Sequence, residues 1–317
     1  MEIIYIITGI LTALFLSFEN ISFKNIKLNA FIITLINSII CFIIFSIIIY
    51  FLYTKYPDKF ERIKNPYGIK KNPLKNIFNY KILQIGLVSQ IYFIIFVYLL
   101  TISPISLIIT MSPLWIIFSL ILNKLMNNIE ITLPKVFGVL IVLFGIIYSN
   151  WDKLFVNNTN NNTNIILIIL LIIFGILKGY TINIVKEIEK YVQPIEIGFY
   201  DYSISIIVSI IVYIIYLLNP LKKWKPEKFK TNNIITILFI TLFTTVPYVI
   251  FKFISIKNIP EYFYTVLINL SIIFNLILSK IVFKETIKMQ QIIGAIIIII
   301  GISFVPILNF LNKKFKM

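Results

Sequence analysis

Ten long apolar runs, separated by short polar stretches, account for most of this chain. They lie near residues 3–19, 30–53, 82–100, 103–123, 132–149, 165–184, 197–218, 233–254, 259–283 and 287–310. A helix rises about 1.5 Å per residue, so roughly 20 apolar residues span a hydrocarbon core. In lipid every backbone polar group must be paired within its own segment or within a closed barrel. Barrel strands are about ten residues long and alternate apolar with polar positions, and these runs do neither. The pattern predicts an all-α integral membrane protein with ten transmembrane helices. The first run lacks a basic leader and a small-residue cleavage site and follows the acidic Glu2. It is therefore expected to be a spanning helix rather than a signal peptide.

The runs repeat. An offset of 156 residues pairs Pro104 with Pro260, Lys124 with Lys280, Gly138 with Gly294 and Gly145 with Gly301. It also sets ILNK at 121–124 against ILSK at 277–280. Near the start, Gly9-Ile10-Leu11 pairs with Gly175-Ile176-Leu177 at a larger offset, which the long second loop accounts for. The expected organisation is a first five-helix repeat over 1–150, an Asn-rich connector over 151–164 and a second five-helix repeat over 165–317. Five is odd, so the second copy enters the membrane from the opposite side. Such inverted repeats are typical of secondary transporters, which bind solute near the midplane between the halves.

Composition agrees with lipid as the solvent. Of 317 residues 59% are hydrophobic and 13% charged, with a mean hydropathy of +0.95. The net charge of +16 comes from lysines between the runs, above all in the loops 54–81 and 219–232. Basic residues so placed face anionic headgroups, not nucleic acid. The side carrying both termini holds 16 Lys and Arg against 11 on the other, which predicts cytoplasmic termini. The sequons at Asn157 and Asn161 fall on the opposite side. There is one cysteine, Cys41, no histidine, and no Gly-rich phosphate loop. Disulfides, thiolate or histidine metal sites, His-based catalysis and ATP hydrolysis are thereby disfavoured. No cofactor and no metal is expected, and no cluster of acids or nucleophiles suggests an enzyme. A channel, a scramblase or a lipid-acting membrane enzyme are the competing classes.

Polar residues inside the runs are the candidate chemistry. Pro113 sits mid-helix 4, where it removes a donor and frees the Ile109 carbonyl, and Asn269 is its repeat partner. Ser89 and Gln90 lie mid-helix 3, opposite Thr245 and Val246 and beside Thr244 and Pro247. These form a polar midplane band, read either as cavity lining or as interhelical hydrogen bonds. Lys178 in helix 6 and Asp201 in helix 7 lie inside the same membrane face. Snorkelling of Lys178, a Lys178–Asp201 pair, and a site for a substrate anion or proton are the three readings. Lys252 is expected to snorkel and Glu19 to sit at the interface, ending helix 1. Glu285 and Lys280 bracket the turn between helices 9 and 10, where a structural cap is expected. The glycine pairs, each seven residues apart, fit packing within each half or a homodimer seam.

The segments ISPISLIITMSPLWIIFSLILNK and NIPEYFYTVLINLSIIFNLILSKIVFKETIKMQQIIGAIIIIIGISF resemble the drug/metabolite transporter superfamily, in particular its EamA-like members. That family shows a Pro midway along the fourth helix, a Glu after it and a Gly-rich last helix. Pro113, Glu285, Gly294 and Gly301 match; Asn269 replaces the second Pro, and Glu130 stands one position from alignment with Glu285. The resemblance implies ten helices, cytoplasmic termini and a central cavity for a small-molecule substrate. With Lys178 facing that cavity, the expected cargo is an anionic or zwitterionic metabolite: a nucleotide sugar, a sugar phosphate or an amino acid.

Overall fold

The computed structural model describes residues 3–26, 28–60, 66–128, 130–152, 161–218 and 231–314. Its helices are α1 (Ile3–Asn25), α2 (Ala30–Lys55), α3 (Tyr80–Ile102), α4 (Ile105–Met111), α5 (Leu114–Asn127), α6 (Leu133–Trp151), α7 (Asn161–Ile188), α8 (Pro194–Leu218), α9 (Thr231–Ile240), α10 (Val246–Asn258), α11 (Glu261–Asn269), α12 (Ser271–Phe283) and α13 (Met289–Lys314). Three rods are made of two helices each: α4 with α5, α9 with α10, and α11 with α12. Among the described residues nine rods are long and apolar enough to cross a membrane, and α13 adds an apolar stretch over Met289–Phe304. Short links between rods send the chain back and forth, so helix ends fall on two sides. The side on which α1 begins is called the starting side below.

Local signals set the boundaries. Asn29 and Asn79 accept the backbone N–H groups of Phe31 at 2.9 Å and Lys81 at 3.1 Å, capping α2 and α3. Asn128 and Lys284 take left-handed conformations, φ 51° and 53°, and end α5 and α12. They too are 156 residues apart. α1 runs six residues beyond its predicted end at 19. Its last turns are polar, but Glu19 and Asn20 face the bundle, not lipid. α7 starts at Asn161, so the last four residues of the predicted connector are helical. Residues 153–160 and the basic loop 219–230 lie outside the described residues. The described part of the loop after α2 is packed: Phe60 and Asn76 are buried, and Asn76 donates to the Tyr200 hydroxyl at 3.0 Å.

Helix packing falls into matched pairs. α5 packs on α7 as α12 packs on α1; α3 on α7 as α10 on α1; α3 on α2 as α10 on α8; α4 on α6 as α11 on α13. Two pairings, α2 with α8 and α6 with α13, join a rod to the one five further along. The polar bonds follow the same rule. Ser119 donates to Asn183 Oδ1 at 2.9 Å and Asn183 Nδ2 donates to the Ser119 carbonyl at 3.0 Å. At the corresponding positions, Asn275 Nδ2 donates to Ser17 Oγ at 3.0 Å.

The glycine pairs meet each other. A Cβ on Gly294 would lie 2.8 Å from the Gly145 carbonyl oxygen, and one on Gly301 would lie 2.9 Å from that of Gly138. α6 and α13 touch through backbone here, a close approach that small residues permit. Neither expected use of these glycines describes this seam, which joins α6 to α13.

Candidate functional site

A cavity of about 810 Å³ lies inside the bundle. Of the described residues, nine acidic or basic side chains line it, and four of them stand away from the helix ends on the starting side: Glu19 on α1, Lys178 on α7, Asp201 on α8 and Lys252 on α10. Charged groups this deep are costly unless they are paired or face water or a ligand. Rings make up much of the remaining wall, including Tyr92, Phe93, Phe96, Trp115, Phe174, Tyr202, Tyr248 and Tyr264. The lining continues to the starting side, where Asn123, Lys186, Glu187, Lys190 and Lys257 stand at helix ends. Among the described residues, none at the opposite ends lines it. That region is filled by an apolar cluster including Phe23, Ile26, Leu100, Ile105 and Ile108.

Each carboxylate is held by a hydroxyl from a neighbouring helix. Thr245 Oγ1 donates to Glu19 Oε1 at 2.7 Å. Ser89 Oγ donates to Asp201 Oδ1. Ser89 and Thr245 are 156 residues apart, so matched positions of α3 and the α9–α10 rod serve the two acids. Thr245 closes a π-helical turn, Thr241–Thr245, just before Pro247. A proline in a helix lacks the donor for the residue four back, and a wide turn absorbs the mismatch. The turn also aims Thr241 Oγ1 at Asn37 Oδ1, 2.8 Å away.

The two lysines lie against aromatic faces. Lys178 Nζ is 5.4 Å from the ring centres of both Trp115 and Phe174. Lys252 Nζ is 5.1 Å from Phe253 and 5.7 Å from Tyr248. Such cation–π contacts are worth about 2 kcal/mol or more when desolvated. Lys252 is the lysine on which both carboxylates act.

Several expectations change accordingly. Lys178 and Asp201 share the cavity, but no ion pair joins them; rings hold the ammonium and Ser89 holds the carboxylate. Lys252 does not snorkel, because its helix presents it to the cavity rather than to lipid. Glu19 is not interfacial: it is 4% exposed, six residues inside the end of α1. Pro113 interrupts the fourth rod as expected, yet Ser112 and Ile109 line the cavity and Pro113 does not. The Ile109 carbonyl is not left free, since Ser112 Oγ donates to it at 2.9 Å. Asn269 lines the cavity beside a tight turn at Leu270 and donates to the Thr265 carbonyl at 2.6 Å. Gln90 also lines it, and donates to Ser209 Oγ at 2.6 Å. Thr245 stands behind Glu19 and reaches the cavity only through it. Glu285 caps a helix, though not in its own turn. Its two carboxylate oxygens accept the N–H groups of Ile105 at 3.1 Å and Ser106 at 3.3 Å, at the start of α4.

The profile of the EamA-like transporter family matches residues 165–306, from the first apolar turn of α7 into α13. Over that stretch the chain is similar to the EamA-like transporter family. Lys178, Asp201, Thr245, Lys252 and Asn269 fall within the matched part, whereas Glu19, Gln90 and Pro113 precede it. That likeness indicates a membrane transporter of small molecules rather than an enzyme. No curated protein sequence matches the chain. Among the described residues, no group of three or more His, Cys, Asp or Glu side chains could hold a metal ion.

Proposed function

We propose that the chain is a secondary transporter that moves a zwitterionic metabolite by alternating access, its two five-helix repeats inverted about the cavity. The carrying observation is the charge pattern of the cavity away from its starting-side mouth: two carboxylates, Glu19 and Asp201, and two ammonium groups, Lys178 and Lys252, among aromatic walls. Such a set offers partners to both charges of a zwitterion and repels neither. A phosphorylated cargo, with close to two negative charges or more and no ammonium, would bring its charge against Glu19 and Asp201, which disfavours the nucleotide sugars and sugar phosphates among the expected classes. The rings suit an apolar or aromatic side group, and a substrate that fills the cavity would displace Lys178 from Trp115 and Phe174. Alternating access is supported by the one-sided cavity together with the matched packing of the halves. If the termini are cytoplasmic, as the cation count predicts, this conformation faces inward.

Counterflow uptake into proteoliposomes, screened over amino acids, sugar phosphates and nucleotide sugars, tests the reading. Saturable uptake of amino acids, competed by other amino acids and not by phosphates, is expected. Uptake confined to phosphorylated compounds would overturn the zwitterion assignment, and none of any class from folded protein would remove its support.

A further inference from the structure

The opposite side is closed by two charges that do not reach the cavity. Lys24, one residue from the end of α1, donates to the carbonyls of Leu100 at 3.1 Å and Ser103 at 2.5 Å, at the end of α3. Glu285, in the turn before α13, accepts the first N–H groups of α4. A cation thus meets a helix C-terminus and an anion meets a helix N-terminus, each the favourable sign for the helix dipole. The two charges also act on one another across the α3–α4 turn. Lys24 belongs to the first half and Glu285 to the second, so the turn is held from both.

The starting side carries the same residues without the same closure. At the offset that sets Ser17 on Asn183, Lys24 falls on Lys190. At the offset of 156, Leu100 and Ser103 fall on Ile256 and Ile259, and the start of α4 falls on the start of α11. Glu130 stands one position from the counterpart of Glu285. Here Lys190 and Glu130 are exposed, and Lys190, Ile256 and Ile259 line the open end of the cavity.

We propose that Lys24 and Glu285 form a latch that holds the opposite side shut, and that Lys190 and Glu130 form its counterpart, which closes the starting side when the transporter turns over. The inference rests on the two-repeat reading above. One latch is made only while the other is open, so each residue biases the equilibrium in a fixed direction. A ligand-free equilibrium shifts by the difference in bonding between its two states.

The test places a reporter cysteine at the deep end of the cavity, Phe96→Cys, in a Cys41→Ala background. An impermeant maleimide is applied to intact cells and to inverted vesicles, without substrate. A hydrogen bond to a charged group contributes about 1.5–3 kcal/mol, so Lys24→Met is expected to raise labelling from the opposite side, relative to the starting side, by about tenfold or more. Lys190→Met is expected to lower the same ratio, the double variant to return toward the parent, and Lys24→Arg, which keeps the donors, to stay near it. Equal folding of the variants is checked by their elution and melting. Unchanged ratios, or shifts in one common direction, would overturn the latches. Uptake is measured in parallel: loss of transport for every solute tested with the labelling shifts intact would remove the substrate reading and leave the latches standing.

Discussion

Gly294 offers a direct measure of how far the α6–α13 contact depends on close packing. A Cβ there would meet Ser149 Cβ at 2.3 Å and the Gly145 carbonyl oxygen at 2.8 Å. Ordinary carbon contacts lie at about 3.5–4.0 Å, so α13 must move away from α6 by roughly 1 Å, which forfeits about a quarter to a half of each displaced contact. Overpacking of this kind costs about 1–3 kcal/mol. The gain in helix propensity from Gly to Ala is about 1 kcal/mol, so Gly294→Ala is expected to destabilise by up to about 2 kcal/mol net. Gly175→Ala is the control. It has the same propensity gain, but its new Cβ meets the Phe118 ring at 3.1 Å and Leu114 Cβ at 3.3 Å, side chains that can shift. Thermal unfolding of the purified protein in one detergent compares the two. Gly294→Ala is expected to melt below Gly175→Ala and below the parent. A Gly294→Ala protein that melts at or above both would refute the packing argument.

The remaining predictions concern the cavity and its supports. Glu19→Gln keeps an acceptor for Thr245 but removes a cavity charge, so counterflow should fall at least about tenfold while melting stays close to the parent. Thr245→Val leaves the buried Glu19 without its hydroxyl and is expected to destabilise by about 1–3 kcal/mol, read by thermal unfolding. Lys178→Met retains a chain long enough to pack on Trp115 and Phe174; if the ammonium meets the substrate carboxylate, KM rises about tenfold or more with little change in melting. An unchanged KM would reduce Lys178 to a ring contact. Asn275→Ala and Asn183→Ala each break one of the matched interhelical bonds, and each should cost about 0.6–2 kcal/mol, additive in the double variant.

The helical rods were legible because they depend on features that survive in one dimension. Run length sets the number of crossings, and Pro104, Pro260, Lys124 and Lys280 mark positions that recur at one spacing. The cavity was legible only in part. Asp201 and Lys178 could be placed in depth but not in rotation about their axes, which decides whether two side chains meet. Here rotation sends Lys178 to Trp115 and brings Asp201 to Ser89. Glu19 was misplaced because the apolar run stops there, although Ser17, Asn20 and Lys24 recur at helical spacing and mark a polar face that carries α1 onward. Lys252 was misjudged for the converse reason: closeness to a helix end suggested lipid, while the turn at Thr241–Thr245 sets which way the following helix faces. Glu285 could be recognised as a cap, but its partner lies 180 residues away in sequence.

The central claim is that substrate crosses by exposure of one cavity first to one side and then to the other. The most direct measurement is the initial rate of zwitterion uptake into proteoliposomes preloaded with unlabelled substrate, compared with empty ones. The account predicts faster uptake into the loaded liposomes and saturation with external concentration, because a returning carrier that is loaded and one that is empty differ in rate. Equal rates that rise linearly with concentration would contradict it and mark the protein as a channel.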